Sequence, residues 1–183
     1  MSDLFDLTGK VAIVTGSSRG IGRATAEAMA AHGAKVVVSS RKADKCQEVA
    51  DSINKGGGEA IVIPCHCSHK DQLQNLVDQT LSTWGRIDSL VCNAAVNPFY
   101  GSLTEIPDDA YDKIMDTNVK SNVWLTSMVI PHMKKVGGGT IVIVSSVAAL
   151  IGSAKLGTYG LSKAADVALA RNIAVEWGGD NIR

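Results

Sequence analysis

The sequence predicts an α/β fold: a doubly wound parallel sheet in strand order 3-2-1-4-5, sandwiched between two layers of helices. Three observations lead there. Short, nearly continuous apolar runs of the kind that strands covered on both faces require alternate with longer segments of helical period. Glycine clusters stand where helices would hand over to strands. The 183 residues are 45% hydrophobic and include 18 glycines, enough for one core, since a domain of this size buries roughly 70% of the surface its unfolded chain exposes and needs no disulfide or metal staple.

The apolar runs at 11–14, 36–38, 60–63, 90–91 and 141–144 are the five predicted strands. Segments 23–32 and 72–84 repeat apolar residues at three and four, and Gly33 and Gly85 stop them. The clusters at 56–58 and 137–139 read as helix-to-strand turns. A long helix is predicted over about 108–135. Pro107 with Asp108 and Asp109 opens it, negative charge suiting the helix dipole, and Pro131 removes a backbone donor that should kink its last turns. Another helix covers 157–177. No repeat or linker divides the chain, so residues 1–183 read as one domain. Asn181, Ile182 and Arg183 stand where a sixth strand would begin.

Charge narrows the functions. The 18 Lys and Arg residues balance 18 Asp and Glu, and no basic run is long enough to track phosphates, so nucleic acid and anionic membrane surfaces are not expected partners. No apolar run approaches the ~20 residues of a membrane span, and residues 1–8 lack the basic and apolar regions of a signal peptide. The expected compartment is the cytoplasm, where Cys46, Cys65, Cys67 and Cys92, with no C-x-x-C pair among them, would stay reduced.

The first predicted strand runs directly into Thr15-Gly16-Ser17-Ser18-Arg19-Gly20-Ile21-Gly22, followed by an alanine-rich helix. Gly16 permits a tight turn, Gly20 lets backbone approach a pyrophosphate, and Gly22 allows close packing, while the helix N-terminus offers free N–H groups to phosphate oxygens. A dinucleotide site for NAD places a carboxylate at the end of strand two to hold the ribose 2′-hydroxyl. Here that position reads Ser39-Ser40-Arg41-Lys42. Arg41, with Arg19 from the glycine loop, suits a 2′-phosphate of charge near −2, which favours NADP over NAD.

The second half carries the chemistry. Ser145 and Ser146 end strand five, and Tyr159-Gly160-Leu161-Ser162-Lys163 opens a helix. Four residues turn about 400° along a helix, so Tyr159 and Lys163 share a face. A phenol is a poor base near neutral pH, but an adjacent ammonium favours its phenolate, making Tyr159 a candidate general acid/base. Ser146 stands at the C-terminal end of a parallel strand, the ligand-binding edge of open α/β sheets, where its hydroxyl can bind the substrate carbonyl oxygen.

Taken together these motifs resemble the short-chain dehydrogenase/reductase family, whose Rossmann-type members combine T-G-x-x-x-G-x-G, an N-N-A-G-like segment after strand four, an Asn in the next long helix, and Ser with Y-x-x-x-K. This chain supplies residues 15–22, Cys92-Asn93-Ala94-Ala95, Asn118, Ser146, Tyr159 and Lys163. The resemblance implies an NADP-dependent oxidoreductase of carbonyl reductase or alcohol dehydrogenase type, acting on a small carbonyl or alcohol. Tyr159 is then the proton donor, Lys163 also binds the nicotinamide ribose, Ser146 orients substrate, and Asn118 holds the water of a proton relay. Gly16, Ser18, Arg19, Gly20, Ile21, Gly22, Ser40, Arg41, His66, Cys67, Asn93, Ala94 and Ala95 line the cofactor. The wording of 39–42 and 93–99 is most similar to the NADP-dependent carbonyl and retinal reductases. Two departures stand out: Cys92 and Ala95 replace the first and last residues of Asn-Asn-Ala-Gly, and His66 replaces an Asp that touches adenine.

The resemblance further implies a homodimer or homotetramer through the helices around 108–135 and 157–177, with Trp124, Val129, Leu169 and Val175 as their apolar content. It also implies a sixth strand, a substrate lid and a seventh strand beyond residue 183, so a catalytically incomplete dinucleotide-binding or dimerising module is the competing reading. Cys65-His66-Cys67-Ser68-His69 imitates a metal cluster, but on a strand end Cys65 and Cys67 share one face and His66 points away, so no metal is expected there. Trp84, Trp124 and Trp177 at helical positions read as core or interface.

Overall fold

The computed structural model describes residues 4–183. Its five parallel strands are β1 (Val11–Thr15), β2 (Lys35–Ser39), β3 (Glu59–Val62), β4 (Ser89–Cys92) and β5 (Thr140–Ile143), in the predicted order β3-β2-β1-β4-β5. The helices are α1 (Gly20–Ala31), α2 (Ala43–Lys55), α3 (Lys70–Trp84), α4 (Asp108–Met115), α5 (Ser121–Lys135) and α6 (Gly157–Trp177).

Alternation along each strand divides the core into two layers. Ile13, Val37, Leu90 and Cys92 face a cluster with Leu73, Leu76 and Val77 of α3, Leu125, Val129 and Met133 of α5, and Ile173 of α6. Val14, Val36, Val38 and Val91 face the opposite cluster, with Ala26 and Ala30 of α1 and Val49, Ala50 and Ile53 of α2. β1 is buried at every residue, because both its faces are covered and it lies mid-sheet. Burying each such Val or Ile contributes about 1.5–3 kcal/mol, before chain entropy is subtracted. Trp84, Trp124 and Trp177 pack partly buried at the rim of the first cluster.

The long helix predicted over 108–135 is divided: a π turn at Asp116–Lys120 lies between α4 and α5, and α5 carries Pro131 inside it on to Lys135. Side chains bond back to the widened turn's carbonyls, Ser121 Oγ to Thr117 O at 2.6 Å and Asn122 Nδ2 to Asn118 O at 2.7 Å. Val129, counted toward an outer interface, is wholly buried in the core, whereas Val175 is 88% exposed.

Ile182 bridges Gly139 in parallel, and Ile141 N–H donates to Arg183 O at 2.7 Å. The last residues therefore lie along the free edge of β5. At the strands' N-terminal edge, buried Asp88 accepts from Val11 N–H at 3.0 Å and from two Arg86 nitrogens at 2.8 and 2.6 Å. That pins the start of β1 to the turn entering β4.

Candidate active site

Strand register decides which loops meet. Thr15 pairs with Ser39, Val38 with Val62, Val14 with Val91 and Cys92 with Ile143. All five strands thus end at one level, and the loops carrying 16–19, 40–42, 63–69, 93–97 and 144–146 converge on one edge. A cavity of about 270 Å³ lined by Lys10, Asp88, Thr140 and Arg183 lies at the opposite edge and holds no candidate residue.

Gly16 and Gly20 adopt φ of 66° and 57°, the left-handed region where a side chain is strained. Gly22 is required for space: a Cβ there would sit 2.5 Å from both Gly16 O and Asn93 Nδ2. The first helical bond of α1 runs from Arg23 N–H to Arg19 O, and Arg19 gives no side-chain cap, so the first-turn N–H groups remain available to an anion. Buried polar groups hold the loop in shape. Ser17 Oγ donates to Val14 O at 2.7 Å and accepts from Ser39 N–H at 2.8 Å. Asn93 Nδ2 donates to Thr15 O at 2.9 Å and Gly16 O at 3.2 Å, while Thr15 Oγ1 accepts from the N–H of Asn93 and Ala94. The Asn93 amide nitrogen is thus spent on the glycine loop itself.

Arg19, Ile21, Arg41 and Ala95 are exposed along this edge, with Ser18, Ser40, His66 and Ala94 half-buried. Ser40 Oγ accepts from Lys42 N–H. Burial, followed by the charges of His69 and Arg41, holds the His66 imidazole below its usual range, which places Arg41 in electrostatic reach of that ring. Cys67 is turned inward. Its hydrogen bond with Cys65, reinforced by burial, pushes the Cys65 thiol up. His66 instead packs edge-on to His69 with ring centroids 4.7 Å apart.

Across the β4 loop, Ser146 caps the short turn Val147–Ala149, its Oγ accepting from Ala148 N–H at 3.2 Å. α6 lies against that turn because residue 160 is glycine; a Cβ would be 2.8 Å from Ala148 O. This brings Tyr159, half-buried, to the segment bearing Ser146. Lys163 Nζ lies 5.9 Å from the Tyr159 ring centroid and donates to Val144 O at 2.9 Å and Asp166 Oδ2 at 2.8 Å. Asn118, fully buried in the π turn, accepts from Val96 N–H at 2.8 Å and donates to Val96 O and Ser162 Oγ, each at 3.0 Å.

Ser146, Tyr159, Lys163 and Asn118 are therefore gathered at the edge that carries the glycine loop. Sequence reasoning missed Gly160, Ser162, Asn122 and Asp166. A signal existed: Asn118 and Asn122, like Ser162 and Asp166, are polar residues spaced four apart, so each pair lies on one helix face. The uncapped first turn of α1 and the open space beside Gly20, where an added Cβ would meet nothing within 4 Å, suit a dinucleotide along the glycine loop, with the Ser146 turn and Tyr159 on the same edge.

Comparisons agree with this geometry. A family model described as short chain dehydrogenase matches residues 10–183. The chain is 44% identical over 177 residues to dehydrogenase/reductase SDR family member 4 of Oryctolagus cuniculus, covering 97% of this chain and 68% of the relative. The protein of the same name from Bos taurus is 43% identical with 63% of its length covered, so the chain spans about two thirds of these relatives. Among solved structures, a 7α-hydroxysteroid dehydrogenase described in complex with NADH and 7-oxo glycochenodeoxycholic acid superposes with TM-score 0.96 at 37% identity, covering 100% of this chain and 71% of its own. A hydroxysteroid dehydrogenase from Escherichia coli gives 0.91 at 36%, covering 98% and 74%. With glycine loop, strand order and Tyr–Lys helix all in place, and the match running almost end to end, the chain belongs to the short-chain dehydrogenase family.

Proposed function

We propose that the protein is an NADP-dependent oxidoreductase that interconverts a small carbonyl compound and its alcohol, with Tyr159 as general acid/base. The observation that carries this reading is the placement of Tyr159 one turn from Lys163 on α6, held by Gly160 against the Ser146 turn, on the same edge as the glycine loop. A nicotinamide dinucleotide bound there supplies the hydride. Ser146 Oγ binds the carbonyl oxygen, and the Tyr159 hydroxyl delivers a proton to it as negative charge develops. Lys163 holds the nicotinamide ribose, and Asn118 fixes the Val96 loop beside the path by which Tyr159 regains its proton. Gly16, Ser18, Gly20, Ile21 and Gly22 take the pyrophosphate. Arg41 and Arg19 take the 2′-phosphate, His66 flanks adenine while Cys67 lies behind it in the core, and Asn93, Ala94 and Ala95 back the adenosine half. NAD is the second choice; the exposed Arg41 and the absence of a carboxylate in Ser40-Arg41-Lys42 favour NADP.

Exposed Tyr111 and Val123 on α4 and α5, and Leu161 and Val175 on α6, support self-association through these helices as a homodimer or homotetramer. None of the helices among the described residues is long and apolar enough to cross a membrane, which is compatible with the cytoplasm. The test is NADPH oxidation against a panel of ketones, aldehydes and quinones, by the parent and Tyr159→Phe. The variant loses one oxygen and should keep cofactor affinity while turnover falls by about 10²–10⁴-fold. Full turnover in Tyr159→Phe would refute the mechanism.

A further inference from the structure

Lys163 is 2% exposed, and its ammonium has three donors. One is committed to Val144 O, a backbone atom just beyond β5, and one to Asp166 Oδ2 at 2.8 Å. Asp166 is itself immobilised: it is 1% exposed, and its Oδ1 accepts from Asn122 Nδ2 at 2.9 Å. Asn122, 4% exposed, is braced by its bond to Asn118 O in the π turn. Two fixed acceptors leave a tetrahedral ammonium one remaining N–H direction.

We infer that Asp166, braced by Asn122, is a positioning residue that aims Lys163 at the nicotinamide ribose. The inference rests on the cofactor reading above and adds a residue to it. Stability alone does not account for the pair, because a buried ion pair is often matched or bettered by apolar side chains of similar volume. Tyr159, Lys163 and Asp166 occupy positions i, i+4 and i+7 of α6, one continuous face. The tyrosine end of that face opens toward the ligand edge, and the aspartate end is sealed against α5. Cys92 of β4 also lies in electrostatic reach of the pair, but burial pushes its thiol up, and Asp166 supplies the carboxylate that Lys163 contacts.

The experiment compares two nucleotides by binding titration. NADPH carries the nicotinamide ribose; adenosine 2′,5′-bisphosphate carries only the adenosine half and its 2′-phosphate. Asp166→Leu should weaken NADPH by about tenfold, the scale of one lost hydrogen bond between charged groups, and leave the bisphosphate within about twofold. Asp166→Asn keeps one acceptor oxygen for two donors, Lys163 Nζ and Asn122 Nδ2, so it should recover only part of the loss and leave NADPH about threefold weaker than in the parent. In a Lys163→Met background, Asp166→Leu should add no further loss. Equal weakening of both nucleotides by Asp166→Asn, or an undiminished effect of Asp166→Leu without Lys163, would overturn the assignment. Should Asp166→Leu fail to fold, both ligands are lost together and Asp166→Asn decides: a selective loss of NADPH upholds the inference, and unchanged affinity sinks it. A parent chain that binds neither nucleotide removes the cofactor reading and the inference with it. A parent that binds both, with Asp166 variants indistinguishable from it, removes the inference alone.

Discussion

Truncating Asn118 to alanine tests how the site is held together. The side chain makes three bonds, accepting from Val96 N–H at 2.8 Å and donating to Val96 O and Ser162 Oγ at 3.0 Å each. Net contributions of about 0.5–1.5 kcal/mol per bond give a span of about 1.5–4.5. Ser162 Oγ keeps its bond to Tyr159 O, and Val96 is only half-buried, so water recovers part of what its backbone loses. About 2–4 kcal/mol is the resulting expectation, a large share of the 5–15 kcal/mol typical of a domain. Guanidinium denaturation of parent, Asn118→Ala and Ser162→Ala supplies the measurement, the last losing one of the three contacts together with its own bond to Tyr159 O and costing about 1–3 kcal/mol. Amide exchange at Val96 should accelerate in Asn118→Ala and stay nearly unchanged in Ser162→Ala. An Asn118→Ala protein within about 0.5 kcal/mol of the parent, with Val96 still protected, would show that the clamp is not what fixes this loop.

Three further outcomes follow from single contacts. NADPH should bind the parent more tightly than NADH, and Arg41→Asp should invert that order by deleting a charge-assisted contact of about 1.5–3 kcal/mol and adding repulsion; equal parent affinities in paired titrations would remove the NADP assignment. Gly22→Ala would gain about 1 kcal/mol from helix propensity alone, yet its Cβ meets backbone at Gly16 O, so a net loss of about 1–3 kcal/mol is expected in denaturation, and a variant as stable as the parent contradicts the geometry. Burial alone would raise the Asp88 carboxyl, but the Arg86 hydrogen bonds, the Val11 N–H and the charges of Arg86 and Lys10 outweigh it and hold it below the ordinary range. A depressed carboxylate contributes stability that is present above its unfolded value of about 3.9 and lost as pH falls through the folded one. Unfolding midpoints of the parent should therefore drop more steeply below about pH 4 than those of Asp88→Asn, and parallel curves would count against the pairing.

The inner strands were legible because doubly covered strands must be apolar throughout, and 11–14 and 36–38 read so; 141–144 reads the same way although β5, at the sheet edge, leaves Thr140 and Val142 exposed. Tyr159, Lys163, Ser146 and the glycines were legible because their chemistry limits which residue types can serve. The π turn was not legible: nothing in Asp116–Lys120 breaks helical period, and its contacts, Asn118 with Val96 and Ser162 and the back-bonds from Ser121 and Asn122, appear only in the packed structure. The inward turn of Cys67 and the engagement of Asn93 with the glycine loop were hidden for a related reason. Both residues stand in loops, where sequence position does not fix the direction of a side chain.

The most consequential omission, Asp166, shows how topology turns a polar spacing into a site. In a parallel sheet wound by right-handed crossovers, helices that follow neighbouring strands on one face run in the same direction. α5 follows β4 and α6 follows β5, and both pack on the same core cluster. Two parallel helices in contact preserve register: if residue i meets residue j, then i+4 meets j+4. Asn118 meets Ser162 and Asn122 meets Asp166, both across 44 residues of chain. Once Asn118 is placed beside the Tyr159 helix, any polar residue four positions later must face the turn beyond Lys163, where no water reaches, and it needs a partner there. Asn122 and Asp166 satisfy each other. Asp166 also stands three positions after Lys163, so the same rung that satisfies the asparagine captures the ammonium. The Asn118 rung supports the loop against the site, the Asn122 rung supports the lysine within it, and one helix register sets both.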